Sequence, residues 1–529
     1  MRKENDRAVV DAKKPLQTKI PSADSKKPPR YILELRATQT VNPISDKPIQ
    51  KVEIPLERIS PQSSITGGEG DDTGVIIERP PLQSLLPIEV DISSFSLDSR
   101  FIEKIGLPDV LNMALAQNLD IEEGFSRTKI QKFQLLSRAS QFLPTLNGGY
   151  SLFGITGDVP TALFGGGAQG SSSQTNAGLP STIQLLNAGF TQNVYTGGRI
   201  LYGTLEQKHR ARASRAALKT DVNDTLLQAT NSYYDLLLNE ALLSIRTRAV
   251  AISQEQVRLN AAQHKAGTAT ALDVLQSRAQ LASDEQNLIN QQKTRRQAAI
   301  RLSHVLNSSL ALDLESGETH LRKRRLIPKS VKIDKLLLMA IERRPELKQY
   351  EELRLAAKRA IVVAAAPLQP NVTFGGTIYG IGAGSSSLDK VFTLNLGVNW
   401  TLGGLGTTDI ANMQRARWEA RQAAIQAKKQ FLDVFEQVRT SYTDSLAADR
   451  KIERATVQIA AAEEELRIAK KRMDAGIGLN INVINAQRDL TQARINKAQA
   501  VVEFNISQAQ MLRNIGSISS DEILNGLKI

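Results

Sequence analysis

Cysteine is absent from the 529 residues. That excludes disulfide frameworks, Cys-ligated zinc, thiol nucleophiles and iron–sulfur clusters. Aromatic residues make up only 5%, and tryptophan occurs twice. Three or four compact domains, which the length would allow, need more large apolar side chains than this. No run of ~18 apolar residues exists, so a membrane-spanning helix is excluded. Met1 to Lys27 also lacks the apolar segment of a secretory signal. An exported chain would therefore carry its signal upstream, or else the protein is not exported. The four histidines, His209, His264, His304 and His320, lie far apart without ligand spacing. Carboxylates are plentiful but show no paired placement in a cleft. No metal, no cofactor and no enzymatic activity are expected.

What is present is helix-forming. Ala, Gln, Arg and Leu dominate long stretches free of Gly and Pro, the composition of long helices and coiled coils. The net charge of +13 raises the question of nucleic acid. The positive charge is spread through segments that also carry many acids, so it reads as solvated helix faces, and no nucleic-acid partner is expected.

Two copies of one unit fill most of the chain. At an offset of 209 residues, Ser232 and Tyr233 fall on Ser441 and Tyr442, Glu255 on Glu464, Ala266 and Gly267 on Ala475 and Gly476, and Leu281 on Leu490. An offset of 226 aligns Ala114 with Ala340 and Pro144 with Pro370. Residues 1–104, Pro-rich and polar, read as a disordered leader. Residues 105–310 form the first repeat, 311–330 a linker, 331–516 the second repeat and 517–529 a tail. Each repeat reads helix, two strands, long helix, return helix. Leading helices are expected near Pro108 to Phe142 and Val331 to Ala366, long helices near Arg199 to Ala266 and Thr407 to Ala475, and return helices near Thr270 to Leu306 and Asn480 to Asn514.

The long helices carry a heptad seam. Val222, Ala229, Leu236, Leu243, Val250 and Val257 recur every seven residues, matched by Phe431, Val438, Ser445, Ile452, Ile459 and Leu466. A 3.5-residue period lines these up as one stripe that must pack on another helix. A helix of roughly 67 residues is about 100 Å long, and two of about 35 residues stacked end to end match it. Those lengths suit a tube and not a globular core.

The strands alternate. Phe392, Leu394, Leu396, Val398, Trp400 and Leu402 interleave with Thr393, Asn395, Gly397, Asn399 and Thr401. About 11 residues is the span of a tilted transmembrane strand, and a small-polar second face suits a water-filled lumen. Val372, Phe374 and Ile378 give its partner. Leu146, Tyr150 and Leu152, then Leu186, Ala188 and Phe190, give the first-repeat pair. Gly- and Ser-rich connections, Gly157 to Ser181 and Gly380 to Asp389, read as loops at the outer face. Four strands cannot close a barrel, and open edges cannot sit in lipid. The strands must be pooled between subunits.

These segments resemble the TolC family of outer-membrane efflux proteins over about residues 105 to 516. Ala114 to Asn118 and Ala340 to Leu347 resemble its opening helices. Leu143 to Leu146 and Gln369 to Val372 resemble its helix-to-strand joints, with Pro144 and Pro370. Tyr195 to Arg199 and Trp400 to Gly404 resemble its strand-to-helix joints, with the pairs Gly197–Gly198 and Gly403–Gly404. Ala266 through Leu275 and Ala475 through Ile484 resemble its helix-tip turns. The resemblance implies a mainly α fold with β: a homotrimer whose twelve strands form one barrel in outer-membrane lipid, above a coiled-coil α-helical tunnel in the periplasm. It also implies docking to a periplasmic adaptor (membrane fusion protein) and an inner-membrane pump, for efflux or type I secretion.

Site residues follow from the same resemblance. The tip turns, with Gly267, Thr268, Gly476 and Ile477, are where the family meets its adaptor; as bare sequence they are also plain helix ends. The pore constriction falls on Asp273, Gln276, Asn482 and Asn485. Asn replaces the family's acids in the second repeat, so cation binding there is not expected to be strong. Asn480 and Asn482 read equally as helix N-caps, and Asp273 suits a first helical turn. The Gly pairs lack the Lys of a phosphate loop and fit a sharp change of direction instead. The alternative from another class is a periplasmic coiled-coil scaffold or adaptor without a channel. An adaptor would carry one helical hairpin, and this chain has two, each with an amphipathic strand pair.

Overall fold

The computed structural model describes residues 101–154, 182–308, 312–318, 320–383 and 388–527. The leader up to residue 100, the loop expected over 157–181 and residues 384–387 of the second outer loop lie outside the described residues; Gly380 to Ala383, expected in that loop, are strand.

The chain opens with β1 (Phe101–Ile105), α1 (Leu107–Gln117) and α2 (Leu119–Ala139). The first hairpin is β2 (Thr145–Gly154) and β3 (Thr182–Thr196). Then come α3 (Arg199–Lys265), α4 (Ala271–Val305) and β4 (Leu312–Ser316). The second repeat holds α5 (Ile333–Arg343), α6 (Pro345–Ala365), β5 (Asn371–Ala383), β6 (Asp389–Asn399), α7 (Thr407–Asp474) and α8 (Asn480–Asn514). A short α9 (Ser520–Asn525) follows. The long and return helices begin and end within a residue or two of the positions expected from sequence.

The leading helices differ from expectation, because each is broken in two. In the second repeat the break is at Arg344, which precedes Pro345 and is held extended at φ −65°, ψ 121°, as the proline ring requires of its predecessor. In the first repeat Asn118 takes the same conformation without a proline. Its Oδ1 accepts from the Asp120 N–H at 2.9 Å, capping α2, while its Nδ2 donates to the Val305 carbonyl at 2.9 Å. The linker and tail are also built into the fold. β4 pairs in parallel with β1, whose Phe101 to Lys104 fall within the expected leader, and Ile523 of α9 is fully buried.

The four-stranded sheet runs β2-β3-β5-β6, antiparallel throughout. Register aligns Leu146 with Phe190, Tyr150 with Leu186, Ala188 with Ile378, Phe374 with Leu396 and Ile378 with Phe392. One face is therefore apolar across all four strands. The other carries Asn147, Asn187, Thr191, Thr373, Thr377, Thr393 and Asn395 among glycines. Among the described residues nothing lies over the apolar face: Leu146 is 81% exposed, Leu396 70% and Val398 65%. A soluble sheet would bury such a face.

Below the sheet the helices form a row in the same order, α2 on α3, α3 on α6, α6 on α7. Farther down, α3 packs with α4, α7 with α8, and α3 with α8. The main core sits at mid-height, where α1, α5, α9 and the β1–β4 pair form a second layer over the long helices. The heptad seam is buried at Ala229, Leu236, Val250, Val438 and Ser445. Phe431 departs from it. Its ring is exposed and lies tilted against Phe435 of its own helix, at 4.9 Å between centroids, because at that height α7 is the edge of the row.

Candidate functional site: tips, gate and joints

Both long helices end identically. At the first tip the Gly267 N–H donates to the His264 carbonyl and the Thr268 N–H to the Gln263 carbonyl, at 3.0 and 2.9 Å. At the second, Gly476 donates to Met473 and Ile477 to Arg472, at 3.0 and 3.1 Å. This paired closure satisfies orphan helix carbonyls and needs a left-handed residue at its turn. Gly267 and Gly476 supply it at φ +77° and +74°, with open space where a Cβ would point. Thr268 is exposed and Ile477 is 80% exposed. An apolar side chain held in water at a helix tip is available for a partner.

The expected constriction residues divide. Asp273 lies in the first turn of α4, and its Oδ2 accepts from the Thr270 N–H at 3.0 Å and hydroxyl at 2.7 Å. The Asp273 N–H donates back to Thr270 Oγ1 at 3.3 Å, completing a capping box. Gln276 is half-buried, and Asn482 and Asn485 are exposed on one side of α8. The expectation that Asn480 or Asn482 caps α8 does not hold. The cap residue is Leu479, which has no side-chain acceptor, and Asn480 is already helical.

Asn480 instead points into the first hairpin and joins the two tips. It is 5% exposed. Its Oδ1 accepts from Gln256 Nε2 at 3.1 Å and from Asn260 Nδ2 at 2.9 Å, both on α3. Its Nδ2 lies 3.1 Å from the Asp273 carbonyl and 3.2 Å from Ser277 Oγ on α4. Asn260 Nδ2 also donates to Ser277 Oγ at 2.5 Å. Two turns higher than Asn260 and Ser277, Ser253 donates to Asp284 at 2.5 Å, both buried. Sequence reasoning missed this network. Its trace was there: beside the last seam positions Val250 and Val257, Ser253, Gln256 and Asn260 are polar, and the second repeat has Ala462, Glu465 and Ala469 at the equivalent positions.

The joints are where sheet turns into rod. Pro144 and Pro370 immediately precede β2 and β5. Gly197 and Gly198 lie at φ +61° and +81°. A Cβ on Gly197 would sit 2.4 Å from the Ala366 carbonyl oxygen, so no other residue fits. At the second joint the left-handed residues are Gly404, Leu405 and Gly406, at +55°, +56° and +86°. Gly403 is not among them; its N–H donates to Asp409 Oδ2 at 2.9 Å.

At mid-height, Asp449 of α7 is 7% exposed. It takes Arg325 and Lys329 at 2.8 and 3.2 Å together with Lys323. Burial alone would raise its pKa, but the hydrogen bonds from Lys323, Lys329 and Arg325 outweigh it and hold the carboxyl at about 2. Among the described residues no group of His, Asp and Glu could hold a metal ion. No described helix is long and apolar enough to cross a membrane.

A sheet with a lipid-compatible face, set on rods about 100 Å long, defines a barrel-and-tunnel protein of the outer membrane. Comparison with known proteins agrees. The family model described as outer membrane efflux protein matches residues 110–308 and 336–517, and the chain belongs to that family. The solvent efflux pump outer membrane protein SrpC of Pseudomonas putida is 23% identical over 483 residues, 88% of this chain and 93% of that protein. Nodulation protein T of Rhizobium leguminosarum bv. trifolii is 20% identical, over 78% of this chain and 85% of its own. The crystal structure of the Campylobacter jejuni CmeC outer membrane channel superposes with a TM-score of 0.69 at 15% identity, covering 78% of this chain and 85% of that one. The channel OprN gives 0.66 at 19%, covering 78% and 90%. The chain is an outer-membrane efflux channel of TolC-like fold, with its helices in the periplasm.

Proposed function

We propose that three copies of this chain close into one exit duct, which takes cargo from an inner-membrane pump through a periplasmic adaptor and releases it without chemistry. The observation that carries this reading is the unfinished edge. Among the described residues β2 and β6 each have one unpaired side. Beneath them, α2 and α7 are the outer members of the helix row, and both expose apolar residues at the same height. Ile130, Phe133 and Leu136 stand out on α2, at 54–64% exposure. Trp418, Ile425 and Leu432, one heptad apart on α7, stand out at 57–65%. A stripe of that period is built to pack on a helix. The opposite edges of one chain complement each other, so copies join head to tail and close as a ring. Two copies would give eight strands, whose interior is filled by side chains; three give twelve and leave a lumen.

Docking is placed at Gly267, Thr268, Gly476 and Ile477, the farthest points of the rods from the sheet. The constriction is placed at the start of the return helices, with Asn482 and Asn485 lining it and Asp273 and Gln276 behind. Purified protein in planar bilayers should give discrete conductance steps, and cross-linking should stop at trimers. A monomer that stays soluble without detergent would instead favour a scaffold role.

A further inference from the structure

The duplication sharpens one difference between the repeats. Arg450, Lys451 and Arg454 of α7 stand where α3 has Ala241, Leu242 and Ile245. The same fold is built either way, so the three cations are not needed for it. They line an open groove of ≈ 820 Å³ between α7 and α8, floored by Ala447, Ala455 and Ala500 and faced by Glu503.

The position of that groove follows from helix geometry, and this step rests on the trimeric duct proposed above. Asp449 points at the mid-height layer, through Lys323, Arg325 and Lys329. At about 100° per residue, Lys451 and Arg454 lie about 200° and 140° around the helix, on the opposite face. Twelve helices about 10 Å apart form a ring roughly 38 Å across between axes, leaving a bore of roughly 28 Å. Three copies of the mid-height layer would fill such a bore, so that layer lies outside and the groove faces in. The α8 side of the groove agrees. Glu503 and Asn496 continue in steps of seven to Asp489 and Asn482, the stripe that carries the proposed constriction at the tip.

We infer that the waist of the bore is a cationic ring, made by Arg450, Lys451 and Arg454, which makes the duct prefer anions and fits it to cargo of net negative charge. Lys451 is paired with Glu503 at 2.5 Å, whereas no partner is seen for Arg450 or Arg454 among the described residues. Asp444, one heptad above Lys451, is the other acid on this face nearby. With both acids counted the ring stays positive. Asp489 lies fourteen residues, about 21 Å, below Glu503, beyond the screening length of about 8 Å at physiological salt. At the tip, Asn482 and Asn485 are neutral, and the Asp273 carboxylate is held in its capping box. A low-dielectric bore focuses the field of fixed charges on passing ions.

The test is the reversal potential of the reconstituted full chain in a tenfold KCl gradient. The permeability ratio of chloride to potassium should exceed 1. Replacing all three cations (Arg450→Gln, Lys451→Gln, Arg454→Gln), all on an exposed face, should lower the ratio by about twofold or more, and Glu503→Gln should raise it. A conducting wild type with a ratio at or below 1 overturns the inference and leaves the duct standing, as does a triple variant that forms trimers with an unchanged ratio. Absence of any conductance overturns the duct itself and the inference with it.

Discussion

Replacing Asn480 with Ala should loosen the periplasmic tips while sparing the rest of the molecule. Asn480 is the second-repeat residue at the centre of the buried group it forms with Gln256, Asn260 and Ser277, and it satisfies donors from two residues of α3 and acceptors on α4. Truncation removes these contacts and leaves two buried amide donors short of an acceptor. A net hydrogen bond is worth about 1 kcal/mol, and a buried donor left unmet costs about 1–3 kcal/mol. Asn260 keeps Ser277 and Gln256 keeps Asn260, so the loss should be about 2–3 kcal/mol. The core near Leu236 and Leu512 lies far from the tips and is untouched, so the cost falls on local opening and not on global unfolding. Hydrogen exchange should speed up by roughly 30- to 150-fold around residues 256–277 and 480–490, with no change in β3 or β5. Equal exchange in Asn480→Ala and wild type would refute the network's role as the tie between the tips.

Other outcomes follow from single residues. Asp449, held at about 2 by its three cations against an ordinary value of 3.8, contributes stability that is full above pH 4 and is lost as pH falls toward 2. Asp449→Asn should therefore cost about 2 kcal/mol near neutral pH, and the difference from wild type should vanish near pH 2 in denaturant titrations. Gly197→Ala would force a methyl group against the Ala366 carbonyl and require a left-handed alanine. It should cost roughly 3 kcal/mol or more and cut the yield of assembled barrel, whereas Gly203→Ala, with nothing within 4 Å, should be neutral or slightly stabilising. Leu405 is left-handed at φ +56° and 97% exposed, so Leu405→Gly should raise thermal stability by about 1 kcal/mol, read from the melting temperature.

How much could be read from sequence depended on periodicity. Strands and rods repeat every two and every seven residues, so the sheet's apolar face and most of the seam stood out from Phe392 to Val398 and from Ala229 to Val250. The break at Arg344 was legible in Pro345 but was passed over. The break at Asn118 depends on a distant carbonyl, Val305, which no local pattern reveals. The polar tip network was not foreseen, because Ser253, Gln256 and Asn260 only make sense once Asn480, more than 200 residues away, is seen between them. Phe431 looked like core because a heptad position does not say whether its partner belongs to the same chain. The exposed stripe at Trp418, Ile425 and Leu432 raises that question, and the answer needs a second copy.

The central claim, closure through neighbouring edges, can be tested on this naturally cysteine-free chain. Phe133→Cys and Trp418→Cys together place one thiol on each outer helix at matching height. A short thiol-specific cross-linker applied to assembled protein should then yield covalent dimers and trimers and nothing larger, while either cysteine alone yields neither. Monomers only from the double variant, or a ladder extending past trimers, would contradict a closed ring of three.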